Sequence, residues 1–217
     1  RPVAAMVDES FLLEPEDQPG HPDPHVWMDV KAWIAATDAV AIALCQADPA
    51  GCETYRKNAA AYTVELAELD AYVAAVIASI PKNQRVLVTA HDAFSYFGRA
   101  YGLEVMGIQG ISTESEAGLA DVSSLVLMLV NRRIPAVFVE SSVPDKYVRA
   151  LIEGAAAKGH TVVVGGELFS DAMGRPGTWE GTYRGMIDHN VSTVARALGG
   201  DVPTNGFRGH TPNDAEH

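Results

Sequence analysis

The fold is decided by the segment ETYRKNAAAYTVELAELDAYVAAVIASI, which runs from Glu53 to Ile80. No glycine or proline interrupts it and Pro81 follows directly, so the pattern predicts one continuous helix that ends at the proline. At about 1.5 Å per residue this helix would be about 42 Å long, enough to connect two lobes. Its apolar side chains alternate four and three residues apart and fall on one stripe of the helix: Tyr55, Ala59, Tyr62, Leu66, Leu69, Val73, Val76 and Ile80.

The same spacing is compatible with a coiled coil, which is the alternative interpretation of this stripe. The residues beside the stripe include Arg56, Asn58, Glu65 and Asp70, and they show no complementary charge pattern that would select a partner helix. We therefore expect the helix to pack within the chain's own globule.

Composition indicates a globular protein with one large or two modest domains. The chain has 217 residues, 47% of them apolar, which is enough to bury a substantial core. No run reaches the roughly 20 uninterrupted apolar residues of a membrane span, so we expect no membrane-spanning segment. Acidic residues outnumber basic ones by 28 to 16, a formal charge of −12, which argues against a nucleic-acid-binding surface.

Two cysteines, Cys45 and Cys52, enclose the turn-forming segment QADPAG. A disulfide between them is geometrically feasible and would imply an oxidising compartment such as the periplasm. Two reduced thiols in the cytosol are the alternative, and the spacing does not decide between these states. No further ligands lie at the spacing of a zinc finger.

The start of the chain is typical of a folded region and not of a signal peptide. A strand is predicted at Val3 to Met6, and Phe11 to Leu13 would extend or follow it. We expect that an N-terminal portion of the natural protein precedes residue 1. Prolines and acidic residues predict a loop over Glu14 to Pro24, after which Asp29 is predicted to cap a helix from Val30 to Leu44.

Beyond Pro81 the chain alternates between strand-length apolar runs and helical segments. This alternation predicts right-handed crossovers and a parallel, doubly wound sheet. From Gly199 onward the composition is polar, which predicts a loose tail or a partly docked extension. The predicted strands are Val86 to Thr89, Val105 to Ile108, Ala136 to Val139 and Thr161 to Val164, and the predicted helices are Ala93 to Tyr101, Ala117 to Asn131, Pro144 to Lys158 and Thr178 to Leu198.

Imidazole and carboxylate groups follow the strands of the predicted sheet, where ligands bind in open parallel sheets. Such a set, with no thiolate nearby, suits a divalent first-row metal, because imidazole favours zinc and added carboxylates tolerate manganese. The residues that follow the four strands are His91 and Asp92, then Gln109, Glu114 and Glu116, then Glu140, Ser141 and Ser142, and finally Glu167 and Asp171 in a loop predicted to start at Gly165.

Five sequence motifs together resemble the zinc and manganese substrate-binding proteins of bacterial ABC importers. They occur in the order found in that family, with the long helix between the first and the second. The motifs are DPHVWMD from Asp23, TAHDAFSYF from Thr89, GISTE from Gly110, VESS from Val139 and GELFSDA from Gly166.

The resemblance implies an α/β fold of two lobes, each with a parallel sheet and helices, joined by one long rigid helix with the metal site in the cleft between them. By position in the motifs, His25 is the metal ligand from the first lobe, and His91 and Asp171 are ligands from the second. Family members usually supply one more histidine nearer the N-terminus. No residue here matches it, so we expect that ligand, and the start of the first lobe, upstream of residue 1. Some manganese-binding members carry glutamate where this chain has His91, so we favour zinc over manganese.

Other residues are candidates for supporting the ligands. A ligand imidazole is usually oriented by a carboxylate on its other nitrogen, and Glu140 and Asp92 are the candidates for His91. His21 lies where zinc-specific members of the family insert a histidine-rich loop, and it is a candidate for capturing metal. The remaining histidines are predicted to pack, to lie on the surface or to fall in the tail: His160, His189, His210 and His217.

We therefore predict a periplasmic solute-binding protein that captures Zn²⁺ and delivers it to an ABC permease, with a manganese-specific carrier as the alternative. A lipid-anchored extracellular protein is the alternative location. A periplasmic metallochaperone is a candidate partner, nucleic acid is not, and we expect a monomer. The predicted organisation is residues 1–52 as the remainder of the N-terminal lobe, 53–80 as the linking helix, 81–200 as the C-terminal α/β lobe and 201–217 as the tail.

A zinc hydrolase is the competing class, because three ligands and a water molecule also make a catalytic site. Glu140 or Glu114 would then serve as the general base. The sequence has neither a helical pair of histidine and glutamate nor a nucleophile turn, so we predict that the protein is not an enzyme. A surface adhesin that shares the carrier fold is a third alternative.

Overall fold

The computed structural model describes residues 9–15, 20–111 and 118–210. The chain divides into two compact units, and the boundary falls within its longest helix, between Tyr72 and Val73. The strand predicted at Val3 to Met6 lies outside the described residues. The helices are α1 (Val30–Ala47), α2 (Cys52–Ser79), α3 (Ser95–Tyr101), α4 (Leu119–Arg132), α5 (Lys146–Ala157) and α6 (Tyr183–Ala197), and the strands are β1 (Val86–His91), β2 (Glu104–Gln109), β3 (Ala136–Glu140) and β4 (Val163–Leu168).

The first unit is built around α1. Asp29 caps this helix as predicted, since its Oδ1 accepts hydrogen bonds from the backbone N–H groups of Lys31 at 2.9 Å and Ala32 at 3.4 Å. A 3₁₀ turn, Val26–Met28, precedes the cap, and both of its end residues are buried. One small apolar cluster of this unit consists of the buried Ala32 and Ala36 and the half-buried Phe11, Trp33 and Ala35.

The prediction that Phe11 to Leu13 belongs to a strand is wrong. The segment starts in a 3₁₀ turn, Glu9–Phe11, and continues without regular structure. Phe11 packs against the core of α1 from this turn, so its burial needs no pairing with a neighbouring strand. The three consecutive apolar residues are half-buried, so the pattern indicated partial burial correctly and the local conformation incorrectly.

Cys45 and Cys52 form a disulfide, so the oxidised state of the pair is confirmed. The bond joins the last turn of α1 to the first residue of α2. Between the two cysteines, the Asp48 carboxylate accepts hydrogen bonds from the Tyr55 hydroxyl at 2.7 Å and from the Gly51 N–H at 3.3 Å, and these bonds lower the pKa of Asp48. The connection between the helices is thus fixed by one covalent bond and a local hydrogen-bond network.

The long helix is confirmed, with bounds that differ by one residue from the prediction. Its stripe is half-buried at Tyr55 and becomes fully buried at Leu66, Leu69 and Val73. Because the chain itself covers the C-terminal part of the stripe, these residues are not available to a partner helix. The heptad-like spacing therefore reflects packing within the protein, and the coiled-coil alternative is wrong.

The second unit contains both sheets that the structure describes. Strand β1 pairs with β2 in parallel, with His91 opposite Gln109, and β3 pairs with β4 in parallel, with Glu140 opposite Leu168. Strand β1 also packs beside β3. His91 ends β1 and Glu140 ends β3, and a hydrogen bond joins the two residues, so the carboxyl ends of these strands meet at one edge of this unit, as the alternating sequence pattern predicts.

One apolar cluster of the second unit lies between these strands and the helices α4 and α5. All six residues of β1 are buried, which is the pattern of a parallel strand covered on both faces. Fully burying one aliphatic side chain of this kind contributes about 1.5–3 kcal/mol relative to leaving it exposed. The cluster consists of Val86, Val88, Ala90, Ile108, Val126, Leu129, Ile134, Val137, Val143, Val148, Leu151, Ala155 and Val162.

The loop predicted to start at Gly165 is instead part of β4, which continues to Leu168. The reason is close packing: a Cβ at Gly165 would lie 2.6 Å from the Phe138 ring and 2.7 Å from the Cβ of Ala197. Glycine thus lets the strand approach its neighbours, although two consecutive glycines are more typical of a turn. Glu167 is consequently a strand residue and not a loop residue.

The last helix starts at Tyr183 and not at Thr178 as predicted. Its cap is Thr182, whose hydroxyl accepts a hydrogen bond from the Gly185 N–H at 3.1 Å. Thr178 instead belongs to a preceding turn, where its hydroxyl accepts a hydrogen bond from the Gly181 N–H at 3.1 Å. Both threonines are plausible caps by residue type, and only the fold selects the second.

The described part of the polar C-terminal segment is docked against the second unit. The Phe207 N–H donates to the carboxylate of Asp188, which is fully buried on α6. The indole N–H of Trp179 donates to the same carboxylate at 3.1 Å, and the ring of His210 stacks on Trp179 with a centroid separation of 3.9 Å. Of the two predicted alternatives, the docked extension is therefore the observed one up to residue 210.

Within the described ranges, α1 is the helix that is long and apolar enough to cross a membrane by length and composition alone. Its mean hydropathy is 1.3, and 22% of its residues are buried. Core helices of globular proteins meet the same criterion, so this property is weak support for a membrane span.

Candidate metal centre

His91, the last residue of β1, is fully buried, and one carboxylate, that of Glu140, contacts both its backbone and its ring. Its backbone N–H donates to Glu140 Oε1 at 2.8 Å, and its ring Nδ1 lies 2.7 Å from Glu140 Oε2. Glu140 ends β3 and is itself buried. One side chain therefore fixes both the backbone and the ring of His91, and the ring nitrogen on the opposite side is Nε2.

The Nε2 atom of His91 faces Asp171. The Oδ2 atom of Asp171 lies 3.3 Å from it, and the Asp171 side chain is 38% exposed. Two donor atoms bound to one tetrahedral zinc ion at about 2.0–2.1 Å are about 3.3–3.4 Å apart. The separation of the two groups in the second unit thus equals the spacing of two ligands of one such ion.

The electrostatics of this cluster favour a cation. Burial lowers the pKa of His91, but the hydrogen bond and charge of Glu140, with the charges of Asp171 and Asp92, outweigh burial and raise the pKa above its ordinary value of 6.5. Three carboxylates thus stabilise positive charge at the imidazole. A proton and a metal ion would compete for the same ring nitrogen.

In the first unit, His25 is held by a neighbouring carboxylate in a similar way. Its Nδ1 lies 2.7 Å from Asp23 Oδ1, and the same oxygen accepts the backbone N–H of His25 at 2.9 Å. Both residues are buried, and the ring of Trp27 packs edge-on with a centroid separation of 5.3 Å. Because Nδ1 is engaged by Asp23, Nε2 is the nitrogen of His25 suited to bind a metal.

Glu140 and Asp92, the two carboxylates predicted to support His91, interact with it in different ways. Glu140 lies on the ring nitrogen, whereas Asp92 Oδ1 accepts a hydrogen bond from the Ser95 hydroxyl at 2.7 Å and acts on His91 through its charge. The residue next to His91 in sequence is therefore not the one that orients its ring.

Two other residues named in the sequence analysis, His160 and Ser142, make hydrogen-bond contacts with their structural neighbours. The ring Nε2 of His160 donates to the Ile134 carbonyl at 2.8 Å, and the hydroxyl of Ser142 lies 3.1 Å from that of Ser170. His21 is exposed. Three residues named in the sequence analysis lie outside the described residues: Glu114, Glu116 and His217.

Asp23 is absent from the residues predicted above, although it holds the ring of His25. A signal for it does exist in the sequence. An aspartate commonly accepts a hydrogen bond from the backbone N–H two residues further on, and Asp23 and His25 have this spacing across Pro24. The same geometry brings the carboxylate to Nδ1 of the ring.

Buried imidazoles that are each held by a carboxylate, one of them facing a further carboxylate at the edge of a parallel α/β unit, are typical of a metal-binding protein. The chain belongs to the family described as zinc-uptake complex component A, periplasmic, whose sequence profile matches residues 2–197. The family resemblance carried by the five motifs is thereby confirmed.

Relatives in this family are named for different metals. The manganese-binding lipoprotein MntA of Bacillus subtilis is 52% identical over 196 residues, which cover 90% of this chain and 64% of that protein. The zinc-binding protein TroA of Treponema pallidum is 52% identical over 176 residues, covering 81% of this chain and 57% of that protein. The chain thus spans about three fifths of the length of these relatives.

The fold is also that of a solved relative. The structure of the periplasmic zinc-binding protein TroA from Treponema pallidum matches this chain with a TM-score of 0.86 and 48% sequence identity. The match covers 90% of this chain and 70% of that one. The predicted α/β class with parallel strands and a long helix is therefore confirmed.

Proposed function

We propose that this protein captures one divalent metal ion, Zn²⁺, and delivers it to the permease of an ABC importer. The observation that carries the proposal is the buried imidazole of His91, which has Glu140 on one ring nitrogen and Asp171 on the other. Imidazole nitrogen and carboxylate oxygen are both common ligands of zinc. The zinc-binding name of the Treponema pallidum relative supports the same proposal.

Each residue of the cluster has a distinct role in this proposal. His91 Nε2 and an oxygen of Asp171 bind the ion, while Glu140 accepts the proton of Nδ1, fixes the tautomer of His91 and makes Nε2 a better donor. We propose His25 as a third ligand through its Nε2, with Asp23 in the role that Glu140 has for His91. The fourth donor stays a prediction.

Manganese is the second candidate, because the Bacillus subtilis relative is named as a manganese-binding protein. The imidazole of His91 favours zinc, and sites with nitrogen and oxygen donors generally bind Zn²⁺ more tightly than Mn²⁺. The informative measurement is therefore the absolute affinity for Mn²⁺. Binding of Mn²⁺ in the nanomolar range would favour a manganese carrier, whereas binding in the high micromolar range would favour zinc.

Titration of the metal-free protein tests the metal site. Zinc competition with a chelator of known affinity, and metal analysis after dialysis, should show one Zn²⁺ per chain. His91→Ala and Asp171→Ala should each lower the affinity by at least about tenfold, since each removes a donor. Unchanged affinity in both variants would refute the ligand assignment.

His160→Ala is the matched control for these variants. His160 is also a histidine of the second unit, and its ring is engaged with the Ile134 carbonyl instead of a carboxylate. Its loss should reduce stability without changing zinc affinity. A loss of affinity equal to that of His91→Ala would show that the assay reports general unfolding.

We propose that the protein is a carrier and not a hydrolase. A zinc hydrolase needs a base beside a metal-bound water, and Glu140, the described candidate, is committed to both the backbone and the ring of His91. The relatives named above are binding proteins. Turnover of an ester and peptide panel by the zinc-loaded protein, abolished in Glu140→Gln, would contradict this proposal.

We propose an extracytoplasmic location, either in the periplasm or attached to the cell surface by a lipid anchor. The disulfide between Cys45 and Cys52 supports an oxidising compartment, and the lipoprotein name of the Bacillus subtilis relative supports an anchor. Fractionation of cells with an antibody against the protein tests the location. The monomeric state and a metallochaperone partner stay predictions.

A further inference from the structure

Asp171 is attached to the sheet by a short segment that no strand pairing holds. The ladder between β3 and β4 ends with Glu140 opposite Leu168. Two residues, Phe169 and Ser170, separate Leu168 from Asp171. Its carboxylate nevertheless lies 3.3 Å from the Nε2 atom of His91. Contacts from outside the sheet must therefore fix the backbone between the strand and this carboxylate.

The side-chain carboxamide of Asn190 makes two hydrogen bonds to the backbone of Phe169, the first residue of this segment. Its Nδ2 donates to the Phe169 carbonyl at 2.7 Å, and its Oδ1 accepts the Phe169 N–H at 2.9 Å. Asn190 lies on α6 and is 1% exposed. A carboxamide offers one donor edge and one acceptor edge, as a peptide group does, so Asn190 continues the ladder by one residue in place of a strand.

The neighbouring contacts hold the residues on either side of Phe169. The ring Nε2 of His189 donates to the Glu167 carbonyl at 2.9 Å, and the hydroxyl of Ser170 lies 3.1 Å from that of Ser142. His189 is half-buried, and the serine pair reaches a loop that is partly exposed, whereas Asn190 is enclosed and makes two bonds to one residue. Asn190 thus restrains the first residue of the segment through two hydrogen bonds from one buried side chain.

We propose that Asn190 is a positioning residue for the metal ligand Asp171. By fixing the backbone at Phe169, it sets where the Asp171 carboxylate stands relative to His91, and so it sets the affinity for the cation. Asn190 itself does not touch the metal. This inference rests on the proposed function, since it takes Asp171 as a ligand.

A double-mutant cycle tests the proposal through zinc affinity, measured by chelator competition on the intact protein. Asn190→Ala should weaken Zn²⁺ binding by about 10- to 100-fold, the usual effect of removing a residue that orients a ligand. In the Asp171→Ala background the same change should alter affinity by less than about twofold, because the group that Asn190 positions is gone. Equal losses in both backgrounds, or no loss with Asp171 intact, would overturn the proposal.

Cobalt spectroscopy separates positioning from general destabilisation. Co²⁺ replaces Zn²⁺ in nitrogen and oxygen sites, and its visible absorption depends on ligand geometry. A displaced Asp171 carboxylate should shift the absorption maximum in Asn190→Ala at full loading. An unchanged spectrum with a lower melting temperature would show that Asn190 serves stability alone.

Two further variants keep the test decisive. Should Asn190→Ala fail to fold, Asn190→Asp replaces it in the cycle, because aspartate keeps the acceptor for the Phe169 N–H, loses the donor to the Phe169 carbonyl and places a negative charge there. Asn131→Ala, an exposed asparagine on α4, is the control and should leave affinity and spectrum unchanged. If Asp171→Ala alone leaves zinc affinity intact, the ligand assignment fails, which is a result distinct from failure of the Asn190 proposal.

Discussion

Replacement of Glu140 by glutamine is the most direct test of how the second unit prepares His91 for a metal ion. Glutamine keeps the size of the side chain and an oxygen that can accept the His91 backbone N–H, now at 2.8 Å. Its amide nitrogen would then occupy the place of Oε2, which lies 2.7 Å from Nδ1. Two donors would face each other, so His91 would adopt the tautomer with its proton on Nε2, the atom that should bind the metal.

Two effects of this change oppose each other. Loss of the carboxylate removes the main cause that raises the pKa of His91, which lessens proton competition and favours metal binding. The wrong tautomer and the weaker donor disfavour binding, and changes at such supporting carboxylates lower metal affinity by about 10- to 100-fold, or about 1.4–2.8 kcal/mol. At a pH above the raised pKa of His91, proton competition is small, so the loss should dominate.

Zinc competition at this pH and ¹⁵N NMR of the His91 ring measure the two consequences. The Glu140→Gln protein should bind Zn²⁺ more weakly, and its metal-free ring should carry the proton on Nε2. Glu104→Gln is the matched control, because Glu104 is an exposed partner of Arg132 and contributes only about 0–1 kcal/mol of stability. Wild-type affinity in Glu140→Gln, or a ring still protonated on Nδ1, would refute the reasoning.

Three further outcomes are expected. Because the pKa of His91 is raised on folding, this histidine stabilises the metal-free protein fully below about pH 6.5, and the stabilisation is lost as pH rises through the folded-state pKa. Zinc affinity should instead fall as pH drops through the same pKa, because protons compete for the ring. Thermal melting of the metal-free protein and zinc titrations over this pH range test both trends, and a change in the same direction for both would contradict them. The Cys45–Cys52 disulfide closes a short loop, so its reduction should lower the free energy of unfolding by about 2–3 kcal/mol, as measured by urea titration. An unchanged free energy would mean that the bond does not restrain the unfolded chain. Gly165→Ala should cost about 1–3 kcal/mol, because its Cβ would overlap the Phe138 ring, and a melting temperature equal to that of the wild type would show that the neighbours can move aside.

The elements that could be predicted from sequence are those whose signal is local. The long helix is coded by a repeated spacing of apolar residues with no glycine or proline, and its observed end at Ser79 lies one residue from the prediction. Strands β1 and β3 are apolar runs that end at His91 and Glu140, and the alternation of strand and helix along the chain predicts both residues at one edge. Motif order then marked the same histidine and Asp171 as candidate ligands.

Predictions failed where a short stretch of sequence is compatible with two local structures. The glycine pair at Gly165 is typical of a turn, but Gly165 lies in a strand that packs closely against Phe138. Thr178 and Thr182 are both good helix caps by residue type, and the structure uses the second for α6. At Gly165 the deciding neighbour, Phe138, is remote in the chain, so a short window of sequence does not contain the information.

The amino-acid sequence by itself determined which residue types reach the edge of the second unit, because alternating strands and helices predict parallel strands whose carboxyl ends share one edge. Only the tertiary structure decided which of them make contact. Asp92 adjoins His91 in the chain, yet Glu140, 49 positions away, lies at the ring, and Asn190 on the last helix holds the backbone that leads to Asp171. The physical reason is that hydrogen bonds of about 3 Å depend on the packing of whole strands and helices against each other, and that packing is a sum over many remote contacts.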